Sequence, residues 1–232
     1  MNDSLRLPPH TVVPALRPSE YTAALIQVLR AEPDKVRGAS VLEIGSGSAV
    51  VLAALGALGA ASLCGVDIEH DAVEAGGLLL GELGHAGAEL HQGDMWLPVA
   101  GRHFDLIVAN LPHFPMAAVE VAGRLPTWSS GGSDGRWLLD AFLEGLPAHL
   151  APGGRSVITH NAFVGLERSR EIAGQHGLEF RVVLTTLVYV PGDKVGRMTQ
   201  GVLRAEQGRS LHRFGPYTFG DVHIVELTRS SR

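Results

Sequence analysis

The sequence is poor in cysteine and in charged residues. Cys64 is the one cysteine among 232 residues, so the chain forms no internal disulfide and suits a reducing compartment such as the cytoplasm. Charged residues make up 19% and hydrophobic residues 45%, which is typical of a globular chain and excludes extended disorder. The formal net charge of −5 does not call for a nucleic-acid partner. No basic stretch followed by an apolar run opens the chain, so we expect no secretory signal.

One long uncharged run needs an explanation. Residues 49–66 contain no charged side chain, and their length alone would allow a transmembrane helix. Gly56 and Gly59 interrupt the run, and Asp67 ends it. We therefore expect a buried helix, a turn and a buried strand, because parallel strands covered on both faces give continuous apolar runs.

Motifs for metal binding and hydrolysis are also missing. The 11 histidines form no H-E-x-x-H pattern and no cluster with cysteine, so we predict no metal site. Ser129 and Ser130 lack the G-x-S-x-G frame of a hydrolase nucleophile. His113 is interpreted as facing a substrate, His160 as structural or at the rim of a site, and His223 as partly buried within a strand.

Short β-rich runs alternate with helical segments along the chain, which predicts an α/β fold. We expect a seven-stranded, mostly parallel, doubly wound sheet whose last strand is antiparallel, because the last two strands have no helical pattern between them. The expected strands lie within 40–47, 62–68, 88–96, 104–112, 155–161, 179–191 and 221–229, and the expected helices at 19–31, 49–58, 71–83, 136–150 and 166–177.

The expected organisation is an N-terminal arm with one helix at residues 1–39, followed by one domain at 40–232. Residues 192–220 form an insertion between the last two strands. From Pro191 to Gly220 the chain carries five arginine or lysine residues and two acids. A solvated loop is the simpler interpretation of this segment, and a contact with an anionic acceptor or with RNA is the alternative.

A glycine-rich loop follows the first strand, in "VLEIGSGSAVV". Gly45 and Gly47 allow a sharp turn and a close approach of a ligand to the backbone. A dinucleotide fingerprint would place a third glycine where Val50 stands. Asp67 ends the next strand, 22 residues after Gly45, where a carboxylate can accept both hydroxyls of a ribose. These residues indicate an adenosine cofactor and leave NAD and S-adenosylmethionine both open.

Two further acids extend the pattern to "LEIGSGS…VD…GD…N", which resembles the class I S-adenosylmethionine-dependent methyltransferases over residues 40–160. The resemblance implies that the glycine loop holds the methionine half, Asp67 the ribose, and Asp94 the adenine amine, with Met95 or Trp96 against the ring. The cofactor contacts that it implies are Glu43, Gly45, Ser46, Gly47, Asp67, Ile68, Asp94, Met95 and Asn110.

The fourth strand ends in "VANLPHFP", beside the expected cofactor. The Asn110 side-chain oxygen and the Leu111 carbonyl can accept the two hydrogens of an acceptor NH₂ group, which aims the nitrogen lone pair at the methyl group. Pro112 stiffens this corner because its φ is fixed. His113 supplies either a flat ring for stacking or a base.

"NLPH" is similar to the Asn-Pro-Pro-Tyr signature of methyltransferases that modify planar nitrogens. Segments 12–22 and 131–154 resemble the Arg-Pro-Glu-Thr-Glu and Gly-Gly-x-Asp-Gly-Leu segments of HemK-type release-factor glutamine methyltransferases. That family carries an N-terminal helical domain for which we see no room here. The resemblance adds Arg17 and Tyr21 to the substrate side, and Trp128 in the glycine-rich loop is interpreted as a lid or an anchor.

The sequence thus predicts an S-adenosylmethionine-dependent methyltransferase that acts on an amide or amine nitrogen. The catalytic residues would be Asn110, Leu111 and Pro112. The acceptor would be a small molecule, a peptide or a protein glutamine. An rRNA base methyltransferase, a cofactor-binding subunit without activity and an NAD-dependent oxidoreductase are the alternatives.

Overall fold

A computed structural model describes residues 17–116 and 130–229. Seven helices of that part are α1 (Glu20–Ala31), α2 (Val50–Ala57), α3 (His70–Glu82), α4 (Trp137–Gly145), α5 (Leu166–Gln175), α6 (Gly192–Arg197) and α7 (Gln200–Glu206). Its strands are β1 (Ser40–Ile44), β2 (Ser62–Asp67), β3 (Glu89–Gln92), β4 (Phe104–Ala109), β5 (Leu150–Asn161), β6 (Leu178–Val190), β7 (Leu211–Phe214) and β8 (Tyr217–Arg229). Within the described residues, no helix has both the length and the hydropathy that crossing a bilayer requires.

The strands form one sheet in the order β3-β2-β1-β4-β5-β8-β6. Strands β1 to β5 pair in parallel, and β8 runs antiparallel between β5 and β6. The strand order reverses between β1 and β4, and open α/β sheets bind ligands at such a point, at the carboxyl ends of the strands. The predicted doubly wound fold with an antiparallel last strand is confirmed.

Helices cover both faces of the sheet, which explains the continuous apolar strands. On β4, Leu106 and Val108 pack with the core that includes Leu25 and Leu52 of α1 and α2. Ile107, between them, packs on the opposite face with the core that includes helix α4. Side chains alternate between the faces of a strand, so burial on both sides demands an apolar residue at nearly every position.

Two boundaries differ from the sequence prediction in a way that bears on the site. Strand β4 ends at Ala109, so Asn110 is the first residue beyond the strand. Strand β5 begins at Leu150 rather than near residue 155, and its pairing with β4 shifts register between Phe104 and Leu106. The glycines at 153 and 154 lie in this irregular part and suggested a turn instead.

The segment between β6 and β8 is structured, so its interpretation as a solvated loop is wrong. It contains the short helices α6 and α7 and the strand β7, an eighth strand that the sequence did not predict. Strand β7 pairs with Tyr217–Gly220 of β8, just beyond the point where β5 leaves that strand at Val222. The hairpin therefore extends the sheet above the carboxyl end of β5.

Candidate active site

A cavity of about 740 Å³ opens at the carboxyl ends of β1, β2 and β4. This volume is in the range of small-molecule sites. All but one of the predicted site residues line it: Arg17, Tyr21, Glu43, Gly45, Ser46, Gly47, Asp67, Ile68, Asp94, Met95, Asn110, Leu111, Pro112 and His113. Trp128 lies outside the described residues, as do residues 12–16 of the segment that resembles the HemK family. The structure thus brings both halves of the predicted site into one cavity.

The glycine loop turns because its glycines adopt left-handed conformations, with φ of 71° at Gly45 and 50° at Gly47. The backbone N–H of Gly47 donates to Asp67 Oδ2 at 2.8 Å, and the N–H of Glu69 donates to Oδ1 at 2.9 Å. These two bonds hold the Asp67 carboxylate at the cavity wall. A Cβ on Gly45 would lie 3.0 Å from Leu111 Cδ2. The glycine loop therefore contacts residues 110–113, which we call the acceptor corner.

Two buried polar atoms at this loop have no hydrogen-bond partner among the described residues. Glu43 is 2% exposed and its Oε2 makes no hydrogen bond; the Oγ of Ser46 is in the same position. Burial raises the pKa of Glu43 well above its ordinary value, a hydrogen bond from the Leu52 backbone opposes the rise, and the charge of Asp67 adds to it. Unpartnered buried polar atoms are costly, so they fit a polar ligand in this end of the cavity.

Of the two residues suggested for the adenine ring, the structure favours Met95. Met95 lines the cavity and has a left-handed backbone, with φ of 47°. Trp96 instead stacks on His149 with ring centroids 4.6 Å apart, and its Nε1 donates to the Ala141 carbonyl at 3.3 Å. The tryptophan packs under helix α4 and is not among the cavity-lining residues.

The amide of Asn110 is held from both ends. Its Nδ2 donates to Thr22 Oγ1 at 3.3 Å, and its Oδ1 accepts a hydrogen bond from Thr159 Oγ1 at 2.8 Å. The sequence did not reveal these threonines, because one lies on α1 and the other within β5, far from Asn110 along the chain. One lone pair of Oδ1 remains for a further donor. The amide is therefore pre-oriented as an acceptor of hydrogen bonds.

His113 is buried rather than presented as an open stacking surface. The side chain is 4% exposed, Nδ1 hydrogen-bonds to the Leu111 carbonyl, and Nε2 has no partner. Burial lowers the pKa of His113 to about 4, which the Leu111 hydrogen bond opposes. A neutral ring that donates from Nδ1 is a weak base at pH 7. The ring fixes the Leu111 carbonyl, whose second lone pair stays free.

Tyr21, His160 and His223 each form a hydrogen bond within the protein. The Tyr21 hydroxyl donates to Asn161 Oδ1 at 2.9 Å, and burial raises the pKa of the phenol. His160 is fully buried between the Asn161 carbonyl and the Ser169 hydroxyl, which makes its role structural. His223 shares a hydrogen bond of 2.8 Å with Thr185 Oγ1 on β6.

The wall on the acceptor side includes Trp137 and Tyr189, which sequence reasoning missed, and Lys194 of the basic segment for which a contact with an anionic acceptor was the alternative. Trp137, Tyr189 and Lys194 line the cavity from α4, β6 and α6. Thr199 fixes the segment after α6 to the acceptor corner, since its N–H donates to the Pro115 carbonyl at 2.7 Å and its hydroxyl to the Ser133 carbonyl at 2.6 Å. No local motif marks these residues, because only the fold brings them to the cavity.

A cluster of three possible metal ligands, which the sequence did not predict, lies away from the cavity. The ligand atoms of Cys64, Glu89 and His91 lie within 4.8 Å of one another on β2 and β3. Arg102 donates to both carboxylate oxygens of Glu89, at 2.9 and 3.3 Å. Burial raises the pKa of the Cys64 thiol to about 11, which disfavours the thiolate that binds metal. The Glu89 carboxylate is therefore already paired with the Arg102 guanidinium.

Comparison with known proteins agrees with this geometry. A methyltransferase-domain family model matches residues 41–125. A protein of Methanocaldococcus jannaschii, provisionally named a protein N5-glutamine methyltransferase, is 30% identical over 161 residues, which cover 69% of this chain and 80% of that protein. The chain belongs to the HemK-like class I S-adenosylmethionine-dependent methyltransferases. Its cofactor is S-adenosylmethionine, and it is an enzyme that transfers a methyl group.

More distant relatives share less of their length with this methyltransferase. A release factor glutamine methyltransferase of Cereibacter sphaeroides is 32% identical over 169 residues, which are 68% of this chain but 57% of that protein. The structure of a T. thermophilus 16S rRNA N2 methyltransferase in complex with AdoMet and guanosine superposes with a TM-score of 0.60 at 20% identity. That match covers 94% of this chain and 45% of that one. The structural likeness shows a shared fold.

Proposed function

We propose that this methyltransferase N-methylates a planar NH₂ group, with the side-chain amide of a glutamine in a peptide or protein as the favoured acceptor. The observation that carries the proposal is the pre-oriented amide of Asn110 at the junction of the two halves of the cavity. The name of the M. jannaschii relative supports the same acceptor. We place the enzyme in the cytoplasm as part of this proposal, in keeping with its single cysteine.

The residues that would hold the cofactor follow from the unpartnered groups of the cavity. Glu43 and Ser46 offer buried polar atoms beneath the glycine loop, and the fixed carboxylate of Asp67 offers acceptors for ribose hydroxyls. Asp94 and Met95 line the cavity where the adenine would lie. When bound, S-adenosylmethionine supplies a methyl group on a positively charged sulfur.

Two oxygen atoms of this chain would then orient the acceptor. Asn110 Oδ1 and the Leu111 carbonyl each keep a free lone pair and can each accept one hydrogen of the NH₂ group. With both hydrogens held, the nitrogen lone pair points toward the cofactor end, which is the geometry that an in-line displacement needs. The two oxygens also stabilise positive charge that develops on the nitrogen. The proton that the nitrogen loses as the N–C bond replaces the S–C bond would pass to water, because the lowered pKa of His113 makes it too weak a base at neutral pH.

Replacing Asn110 tests this assignment. We expect Asn110→Ala to lower kcat by about 100-fold or more, because removal of one such oriented hydrogen-bonding group has effects of this size. Calorimetry should show an unchanged affinity for S-adenosylmethionine to within a few fold. Methyl-labelled cofactor and mass spectrometry of glutamine-containing peptides measure turnover. Full activity of the variant would show that the acceptor is oriented elsewhere, and labelled cofactor that binds but never transfers would indicate a subunit without activity.

An exocyclic amine of an rRNA base is the second candidate acceptor, because it presents the same planar NH₂ group. The fold shared with the T. thermophilus rRNA enzyme is consistent with it. Incubation with ribosomal RNA and labelled cofactor separates the two, since label in RNA rather than in peptide would reverse our preference. A gel shift that weakens steeply with salt would support the RNA acceptor as well.

A further inference from the structure

Lys194 is a cavity-lining cation for which the proposed mechanism has no use. It lies on α6, lines the cavity, and places its ammonium 4.7 Å from the centroid of the Phe114 ring. Phe114 lies one residue beyond His113, in the loop that begins at Asn110. The insertion between β6 and β8 thus delivers a positive charge to the wall against which the acceptor must pack.

The ammonium has no carboxylate partner in the described part of the chain. The lysine ion pairs within residues 17–116 and 130–229 are those of Lys35 with Glu32 and Glu226. Burial lowers the pKa of Lys194, while the charges of Asp193 and Glu20 oppose this from a greater distance. A partly desolvated charge without a partner destabilises a protein unless a ligand compensates it. The Phe114 contact offsets only part of that cost.

Charge is also segregated along the cavity. Among the described residues, the acids Asp67, Glu69 and Asp94 line the cofactor end, just after the carboxyl ends of β2 and β3, and the buried Glu43 with its raised pKa lies beside them. The cations that line the cavity are Arg17 and Lys194, and both lie on the acceptor side, where Glu20 is the one lining acid. An anionic group is therefore repelled from the cofactor end and attracted to the acceptor side.

The position of Lys194 is fixed rather than incidental. Met116 and Met198 form a β-bridge, and the hydrogen bonds of Thr199 tie the end of α6 to Pro115 of the acceptor loop and to Ser133 before α4. The lysine is four residues before the first of these anchors. Its ammonium lies over the Phe114 ring, at the wall of the cavity that the residue lines.

We propose that Lys194 forms an anion subsite, and that the acceptor carries a carboxylate or phosphate group close to the nitrogen that is methylated. This inference rests on the proposed function, because it describes the acceptor of that same cavity. For a glutamine acceptor it means an acidic residue or a phosphorylated residue beside the glutamine. For a free small molecule it means an acid group on the acceptor itself.

The composition of the chain provides a direct test. Lys35 and Lys194 are its two lysines, so a full-length protein labelled with ¹³C-lysine gives two ε-carbon signals, which a Lys35→Arg variant assigns. Acetate and inorganic phosphate are titrated separately, with sodium chloride at matched ionic strength as the control. We expect a saturable shift of the Lys194 signal and a rise in its pKa. The Lys35 signal should follow ionic strength alone.

A second test uses turnover. Pentapeptides with a central glutamine carry glutamate, uncharged glutamine or phosphoserine beside it, so that the carboxylate and phosphate sources are compared. We expect kcat/KM to be at least about tenfold higher for one acidic class than for the uncharged peptide. Lys194→Met should abolish this preference through KM, and Lys194→Arg should retain most of it. Arg197→Met is the matched control, since Arg197 is exposed on the same helix and does not line the cavity.

The outcomes separate this inference from the proposed function. If glutamine peptides are methylated without an acidic preference, or if Lys194→Met keeps the preference, the anion subsite is refuted while the glutamine acceptor stands. If no peptide is methylated, the proposed function fails, and the lysine signals still decide the subsite. A Lys194 signal that responds no more than that of Lys35 to either anion overturns the inference.

Discussion

At the scale of single residues, burial explains what the acceptor corner does. His113 looks in the sequence like an exposed ring or a base, since a histidine after a proline at a strand end has no buried signature. In the structure it is enclosed, bound to the Leu111 carbonyl and kept neutral. Asn110 and Asp67 could be identified from their places at strand ends, but Thr22 and Thr159 could not, because only the folded sheet brings them to Asn110.

Enclosed histidines make stability depend on pH. Burial lowers the pKa of His113 to about 4 and that of His160 to about 3, against 6.5 when exposed. Between pH 6.5 and 4 the unfolded chain binds protons that the folded chain does not, so these imidazoles lower the free energy of unfolding as the pH falls. We expect the urea midpoint of His113→Gln to fall less over this range than that of the wild type.

The wild type must be compared with His113→Gln, because the titration of Glu43 changes the free energy of unfolding with pH in the opposite direction. Its raised pKa favours the folded state at low pH and loses that effect as the pH rises. Glu43 is present in both proteins, so the difference between their midpoints isolates the imidazole. Parallel curves for the two proteins across the range would show that His113 titrates normally.

At the scale of elements, a buried arginine joins helices α4 and α5. Arg136 is 4% exposed; it pairs with Asp140 at 2.6 Å and donates to the Ser169 hydroxyl at 2.9 Å. It also donates to the Val164 and Gly165 carbonyls after β5. One guanidinium thus satisfies partners from three consecutive segments.

We expect Arg136→Leu to lower the free energy of unfolding by about 3 kcal/mol, because it leaves two carbonyls without this donor and the partly buried Asp140 carboxylate with its exposed Arg168 partner alone. Arg168→Leu is the matched control. Arg168 donates to the other oxygen of Asp140 but is 57% exposed, and its loss should cost less than about 1 kcal/mol. Urea denaturation of both variants measures the difference. Equal losses would show that burial does not govern these two pairs.

The elements also show where sequence reasoning ends. Strands β1, β2, β4 and β6 and all helices from α1 to α5 could be predicted, because their apolar periods and glycine stops are local. The short helices and β7 between β6 and β8 could not. Their polar composition matches a loop, and they are held by contacts with Pro115, Ser133 and β8 that no local pattern encodes.

At the scale of the whole molecule, the division into an arm and a single domain remains our proposal. Helix α1 supplies Leu25 and Leu29 to the same core as α2 and β1, which supports one cooperative unit. We expect far-UV circular dichroism and tryptophan fluorescence to give coincident urea transitions. S-adenosylmethionine at 100 times its Kd should add about 2.7 kcal/mol to both. Two separated transitions, or a shift in one probe alone, would contradict the single domain.

The attachment of Thr199 to the acceptor loop has an evolutionary consequence. In our proposals, the residue that selects the methyl acceptor lies on a segment between two antiparallel strands, whereas the residues that hold the cofactor lie on loops of the parallel half. Insertions or substitutions in the segment between β6 and β8 leave the loops of the parallel strands unchanged. Lineages built on this sheet are thus free to change what they modify while keeping the same methyl donor.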